Sequence, residues 1–154
     1  MTNVALAYQA MEGMSFSVAK GGDWIDSGAS KAIGINQTRI CTIKEQGIDL
    51  NNPKSREEEA ICVFYKELIE YALDWSARAF VQSKMMGTIN VPIPIIVSGG
   101  TSTAGGFLDF FKKVFDKKKK RFPLKISEIV HAKDPFNAVA DGLLIQALQE
   151  HEDD

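Results

Sequence analysis

A short apolar segment in the second half of the chain constrains the fold more than any other feature. Residues 92–97 read Pro-Ile-Pro-Ile-Ile-Val and carry no polar side chain. Because β-branched residues dominate this run, it predicts a strand that is buried on both faces. Such a strand needs helices on both sides of its sheet, so the segment favours an α/β fold.

A long helix is predicted upstream of this strand. Ser55, followed three residues later by Glu58, has the form of a capping box, which marks the start of a helix. The apolar residues that follow recur at steps of three and four, as expected for one buried stripe. They are Ile61, Phe64, Leu68, Ala72, Trp75 and Ala79.

The start of the chain predicts a β-hairpin. Residues 3–10 and 14–19 are short apolar or alternating runs, which is typical of strands. Glu12 and Gly13 separate the two runs, and we expect the turn of the hairpin there.

Two short helices are predicted between the hairpin and the long helix. The first covers residues 24–33, with Asp23 placed to cap it and Gly34 placed to end it. The second covers about residues 36–46 and stops at Gly47.

The segments after the apolar strand continue the alternation. A helix over about residues 104–116 and a strand over 125–129 are followed by a closing helix, which Asp134 and Pro135 open as N-cap and first residue. The predicted core face of the closing helix is Phe136, Val139, Ala140, Leu143, Leu144 and Ala147. The complete order, β-β-α-α-α-β-α-β-α, predicts an α/β sheet covered by helices.

Composition and charge bear on the number of domains, the kind of partner and the expected location of the protein. The 154 residues suit one domain, and 18 Lys and Arg against 20 Asp and Glu give a net charge of -2, which offers no reason to propose nucleic-acid binding. The chain has two cysteines, Cys41 and Cys62, which are interpreted as reduced thiols. No apolar run is long enough to span a membrane, and the start lacks the basic region of a secretory signal, so a cytoplasmic location is expected.

Two glycine pairs stand where a predicted strand passes into a helix. They are Gly21-Gly22 and Gly99-Gly100. Glycine lets a backbone approach a ligand closely, and the N–H groups at a helix start attract phosphate. Neither pair completes a dinucleotide or P-loop fingerprint, and a tight turn is the simpler explanation of a single pair taken alone.

The sequence around the second pair is more specific. Residues 95–107, which contain Ser98-Gly99-Gly100-Thr101, resemble the adenosine motif of the superfamily that unites actins, large heat-shock chaperones and sugar kinases. Three further stretches are similar to motifs of that superfamily and stand in the same order. They are Gly21-Gly22-Asp23-Trp24-Ile25-Asp26, Ile43-Lys44-Glu45 and Asp134-Pro135 through Gly142.

The resemblance covers nearly the whole chain and implies a fold and a function. It identifies residues 1–154 as a single C-terminal, ribonuclease H-like lobe of the actin type, with a mixed β-sheet covered by helices. The implied function is to bind ATP or ADP as part of an actin-like or chaperone-like ATPase. The other lobe would be needed for hydrolysis, so this chain alone is not expected to be an active enzyme.

The same resemblance implies which residues hold the nucleotide. Gly99, Gly100 and Thr101 would lie at the ribose and α-phosphate, and Lys44 and Glu45 would flank adenine and ribose. Phosphates would lie over Gly21 and Gly22. Mg²⁺ would be held through phosphates and water, and no catalytic residue or direct metal ligand is assigned.

The chain departs from the superfamily at its start and in its middle. A lobe of this type begins with a strand and a phosphate loop that would precede Thr2. In the family's strand order of 3-2-1-4-5 the absent strand is the central one, so we expect an unpaired gap in the sheet. The chain is interpreted as a fragment, a truncated gene start or half of a two-chain assembly. Its implied partners are the missing N-terminal lobe, a second copy or a protein client.

The middle of the chain indicates which branch of the superfamily this sequence resembles most. Only residues 46–54 stand where actins and heat-shock chaperones insert a sizeable subdomain. The resemblance is therefore greater to compact members, such as reactivating chaperones and pilus-assembly relatives of actin.

Two other functions stay open. The first is a protein-interaction module that keeps the lobe as a scaffold and binds a partner where the missing strand should pair. The second is a lobe of a sugar or acid kinase.

A few other residues have simple structural interpretations. The cations of residues 117–121 suit a solvated helix end, with a docking patch for an acidic partner as the alternative. His131 is expected to be structural or solvated, and Asp26 is a candidate for the outer shell of Mg²⁺. The phenylalanines, among them Phe136, are expected in the core.

Overall fold

The computed structural model describes residues 1–9, 11–83, 87 and 89–152. The strands are β1 (Thr2–Tyr8), β2 (Met11–Val18), β3 (Ile93–Val97) and β4 (Ile126–His131). The α-helices are α1 (Gly22–Ile33), α2 (Gln37–Glu45), α3 (Arg56–Gln82), α4 (Phe107–Lys118) and α5 (Ala138–Glu152). Short 3-10 helices cover Gly100–Thr103 and Lys119–Arg121. This order is the predicted one, and the α/β class is confirmed.

The predicted hairpin is present, but its turn lies elsewhere. β1 and β2 pair antiparallel, with Thr2 opposite Val18. Glu12 and Gly13 lie inside β2 and do not form the turn. The register shifts there, and Gly13 is the extra residue of a bulge, where the absence of a side chain eases the local bend. Ala10, which was predicted to end the first strand, lies outside the described residues.

The described strands form two separate two-stranded sheets. β1 pairs with β2, and β3 pairs with β4 in parallel, with Ile95 opposite Ile129. Within the described part of the chain, no ladder joins one pair to the other. The pairs are nevertheless neighbours, because Leu6, Phe80 and Leu124 form one buried cluster on which Val4 and Ile93 pack.

Only one face of β3 is buried, so the prediction of burial on both faces is wrong. Its residues alternate between half-buried and exposed, and Ile96 is 62% exposed. The side chains of Ile95 and Val97 pack on the main core. On the other face Pro94 and Ile96 are exposed, and among the described residues the apolar side chains of α5 are exposed as well and do not cover them.

The predicted core face of α5 is also wrong. Val139, Leu143 and Leu144 are exposed, and Phe136, just before the helix, is 71% exposed. Apolar side chains lie on most sides of α5, so the pattern selects no single buried face.

The main core lies among the first four helices and β4. α1, α2 and α4 all pack against α3. The residues buried there are Ile25, Ala29, Ile40, Ile48, Leu50, Ile61, Cys62, Tyr65, Leu68, Ile69, Leu73, Phe107, Phe111, Val114, Phe115 and Ile129. The phenylalanines of α4 therefore occupy the core largely as predicted.

The buried stripe of α3 is rotated from the predicted one in its second half. Ile61 and Leu68 are buried as predicted, whereas Trp75 is 43% exposed. Leu73 and Phe80 are buried in its place. The stripe turns because α3 packs on α1 and α2 near its start and reaches the hairpin near its end, where Phe80 joins Leu6.

Two helix ends follow the sequence signals, at Ser55 and at Gly34, whereas α5 begins at Ala138 and not at Pro135 as predicted. The Ser55 hydroxyl accepts the Glu58 N–H at 3.2 Å, and the Glu58 carboxylate accepts the Lys54 N–H at 2.7 Å. Gly34 ends α1 with a left-handed φ of 73°, as predicted. Asp23 is not the cap of α1, because the helix begins earlier, at Gly22, and Asp23 lies in its first turn.

Candidate functional site

Three of the predicted site segments meet at one place. They are the glycine pair at the start of α1, the end of α2 and the turn after β3. A Cβ atom on Gly22 would lie 3.1 Å from the Thr101 hydroxyl and 3.6 Å from the Lys44 ammonium. The fold thus brings together three residues that are widely separated in sequence.

An ion pair lies at the centre of this place. The Lys44 Nζ atom is 2.7 Å from Oδ1 and 2.8 Å from Oδ2 of Asp26, and these side chains are only 15% and 4% exposed. The same ammonium also donates to the Gly22 carbonyl at 3.5 Å. Because a buried carboxylate needs a compensating charge, this pair fastens α2 to the first turns of α1.

The sequence analysis did not predict that Asp26 pairs with Lys44. Its Oδ1 atom is a charge partner of Lys44, but within the described residues it accepts no hydrogen bond of good geometry. Burial, with the Asp26 carboxylate as a second cause, raises the pKa of the neighbouring Tyr65 hydroxyl. A hydrated Mg²⁺ near Asp26 would have to compete with the Lys44 ammonium for the same carboxylate.

Glu45 lies on the exposed side of α2. Its Oε1 atom accepts a hydrogen bond from the Cys41 thiol at 3.4 Å, and its carboxylate faces solvent. Glu45 is therefore free to reach a ligand, whereas the ammonium of Lys44 is engaged inside the protein.

The turn after β3 has a conformation that depends on glycine. Gly99 adopts φ 95° and ψ 157°, a region that is essentially restricted to glycine. Among the described residues, none has an atom within 4 Å of a Cβ position there apart from its chain neighbours, so the space beside the turn is open. Hydroxyls of Ser102 and Thr103 donate to the Gly99 and Gly100 carbonyls at 2.8 and 2.7 Å and hold the turn in shape.

The two residues of the first glycine pair, Gly21 and Gly22, have different surroundings. A Cβ atom on Gly21 would overlap the backbone of Met1, so the lack of a side chain is a packing requirement there. Gly22, in contrast, faces Lys44 and Thr101.

Three residues behind the turn after β3 give it support. The Pro135 carbonyl accepts the Gly99 N–H at 2.6 Å and the Ser98 hydroxyl at 2.8 Å. His131 lies within hydrogen-bond distance of the Ser102 carbonyl, 2.7 Å, and stacks on the Phe107 ring. The structural interpretation of His131 is thus confirmed.

Two open surface grooves lie away from the glycine turns. One runs along α2 and is lined by Arg39, Thr42 and Ile43 among others, and the second lies between Asp49 and α4. Both open widely to solvent and neither includes Gly22 or Thr101. The convergence of Gly22, Lys44 and Thr101 is the stronger candidate site, because specific side-chain contacts define it.

The basic segment at the end of α4 is partly paired. The Lys118 ammonium lies 2.7 Å from the Asp74 carboxylate of α3, and Lys119 pairs with Asp116 at 3.1 Å. Across the described residues, no three His, Cys, Asp or Glu side chains are grouped as a metal site would require. Of the helices described, none is both long and apolar enough to cross a membrane.

Comparison with known proteins identifies a family. The family model described as Volactin matches residues 1–147, which is nearly the whole chain. No curated protein and no solved structure matches significantly. Because this match covers nearly the whole chain, the chain belongs to the Volactin family.

Proposed function

We propose that this chain is a nucleotide-binding lobe of an actin-like or chaperone-like ATPase and supplies the adenosine site for ATP or ADP. One observation carries the proposal: Gly22, Lys44 and Thr101 meet beside an open glycine turn. These residues come from three separate segments, each of which resembles a nucleotide-contacting motif of that superfamily. Independent motifs that meet in space support a common ligand more strongly than any one of them alone.

The roles of the residues follow from their chemistry. The first N–H groups of α1, at Gly22 and Asp23, have no partner within the helix and suit a phosphate. The Thr101 hydroxyl and the turn at Gly99 and Gly100 suit the ribose and α-phosphate, and the exposed Glu45 carboxylate suits a ribose hydroxyl or adenine. Mg²⁺ would be held by phosphates and water.

Hydrolysis would require residues that this chain does not supply. Positioning of the γ-phosphoryl group and stabilisation of its charge need groups on both sides of the nucleotide. Among the described residues β1 and β3 each lack a ladder partner on one edge, as do β2 and β4, which leaves room for a further strand to complete the lobe. The proposed unit of activity is therefore this chain together with the rest of a two-lobed protein.

Calorimetric titration of ATP and ADP with Mg²⁺ tests the proposal. It is carried out on this chain and on a version extended upstream at the same genomic locus. Glu45→Ala and Gly100→Val should each weaken binding and leave the melting temperature nearly unchanged, since Glu45 is exposed and a Cβ atom on Gly100 meets only one ring at 3.4 Å. Val63→Ala, at an exposed position of α3, is the control. Normal ATP binding by both site variants would refute the site.

A second candidate function is a protein-interaction module. The unpaired edges of the two small sheets and the exposed apolar side chains of α5 favour it, because both features can bind another polypeptide. Light scattering distinguishes the two functions. Obligate self-association of the extended chain without any nucleotide binding would favour the interaction module.

A further inference from the structure

An aromatic ring lies exposed beside the open glycine turn. Phe136 was expected in the core, but 71% of its surface is exposed. Its Cε1 atom would lie 3.4 Å from a Cβ atom on Gly100. A phenyl ring gains free energy when it leaves water, so an exposed ring beside the open turn is available to an apolar, flat ligand.

The backbone that carries Phe136 is held by several hydrogen bonds. The Asp134 carboxylate accepts the N–H groups of Phe136 and Asn137 at 3.0 and 3.2 Å, and its second oxygen accepts the Asn137 amide at 2.8 Å. On the other side, the Pro135 carbonyl accepts two hydrogen bonds from the turn after β3, which fix the two segments to one another. The ring is thus presented from a firmly held turn.

The space beside the ring suits a flat partner. Gly99 and Gly100 place no side chain there, and in the part of the chain that the structure describes no atom beyond the chain neighbours lies within 4 Å of a Cβ position on Gly99. A phenyl ring beside such a space can stack on another aromatic ring, and a nucleobase is a flat aromatic ring. Stacking on the base would cover the ring while the ribose lies over the glycine turn.

We propose that Phe136 stacks on the nucleobase of the bound nucleotide. The inference rests on the proposed function and adds a residue that positions the base. Stacking uses the face of the base and not its hydrogen-bonding edge, so Phe136 contributes affinity for any base and little discrimination between adenine and guanine.

The experiment compares four forms of the longest protein that the gene encodes: wild type, Phe136→Ala, Phe136→Trp and the control Val139→Ala. Val139 is a similarly exposed apolar residue in the first turn of α5. Binding of ATP with Mg²⁺ is measured by calorimetry, and indole fluorescence is recorded during the titration. Melting temperatures are measured for all four forms.

We expect Phe136→Ala to weaken ATP binding roughly tenfold or more with an unchanged melting temperature. Phe136→Trp should retain affinity and show ATP-dependent quenching beyond that of wild type, because the new indole stacks on the base. Val139→Ala should behave as wild type.

Three results would overturn the inference and leave the proposed function intact. They are wild-type ATP affinity in Phe136→Ala, a loss of affinity that accompanies a lower melting temperature, and a Phe136→Trp form without extra quenching. If wild type itself binds no ATP, the proposed function fails and the inference fails with it.

Discussion

The helical core and the closing helix α5 use similar side chains with opposite results. Ile61 and Tyr65 of α3 are almost completely buried, whereas Leu144 and Ile145 of α5 are largely exposed. α1, α2 and α4 surround α3, but among the described residues no element makes comparable contact with α5. The contrast teaches that apolar side chains on a helix are buried only where another element of the structure packs against them.

A second difference concerns charge. The core contains the ion pair of Asp26 with Lys44, while ion pairs on the surface, such as Lys66 with Glu70 at 3.9 Å, are solvated. Burial makes the first pair costly to break, because the remaining charge has no water to replace its partner. In the surface pair, water can replace either charged partner at little cost in free energy.

The largest expected effect is therefore at Lys44. Lys44→Ala leaves the Asp26 carboxylate buried without its counter-ion and should lower the free energy of unfolding by about 3–5 kcal/mol. Urea denaturation measures the change, and Lys66→Ala, with its exposed pair, should cost less than about 1 kcal/mol. Equal effects of the two substitutions would show that the Asp26 pair is solvated.

The next prediction compares two isoleucines directly. Ile61→Ala removes a completely buried side chain and should cost about 2–5 kcal/mol. Ile145→Ala, at a position that is 58% exposed, should change stability by less than about 0.5 kcal/mol. Both values come from urea denaturation. A large cost at Ile145 would mean that α5 is covered in solution and would remove the contrast between the two regions.

Two glycines extend the comparison to the backbone. A Cβ atom on Gly28 of α1 would collide with the ring of Phe64, so Gly28→Ala should destabilise by about 1–3 kcal/mol through overpacking. Gly142 of α5 has no such neighbour, and Gly142→Ala should stabilise by up to about 1 kcal/mol because alanine favours the helix. Thermal denaturation of both variants gives the signs, and the same sign for both would contradict the prediction.

Local features of the fold were predictable from sequence. The order of the elements, the Ser55 cap and the end of α1 at Gly34 all follow from signals confined to a few neighbouring residues. The turn expected at Glu12 and Gly13 was wrong because a glycine in a strand can also form a bulge, and only pairing decides between the two.

Features that depend on distant neighbours were not predictable in the same way. The exposure of Trp75 reflects which sides of α3 its partners occupy, and the exposure of Phe136 reflects a missing cover. For the candidate site, resemblance supplied Gly22, Lys44 and Thr101, and their convergence needed the fold. The Asp26 pair had no sequence signal, since the two residues lie on different helices.

The length of α3 has a mechanical consequence. Its 27 residues span about 40 Å. Near its start Glu57 pairs with Arg39 of α2 at 3.5 Å, and near its end Phe80 packs with Leu6 of the hairpin. A continuous α-helix is stiff, so the two ends of α3 move together. The hairpin and α2, which carries Lys44 and Glu45, are therefore connected through one continuous helix, although they contact its opposite ends.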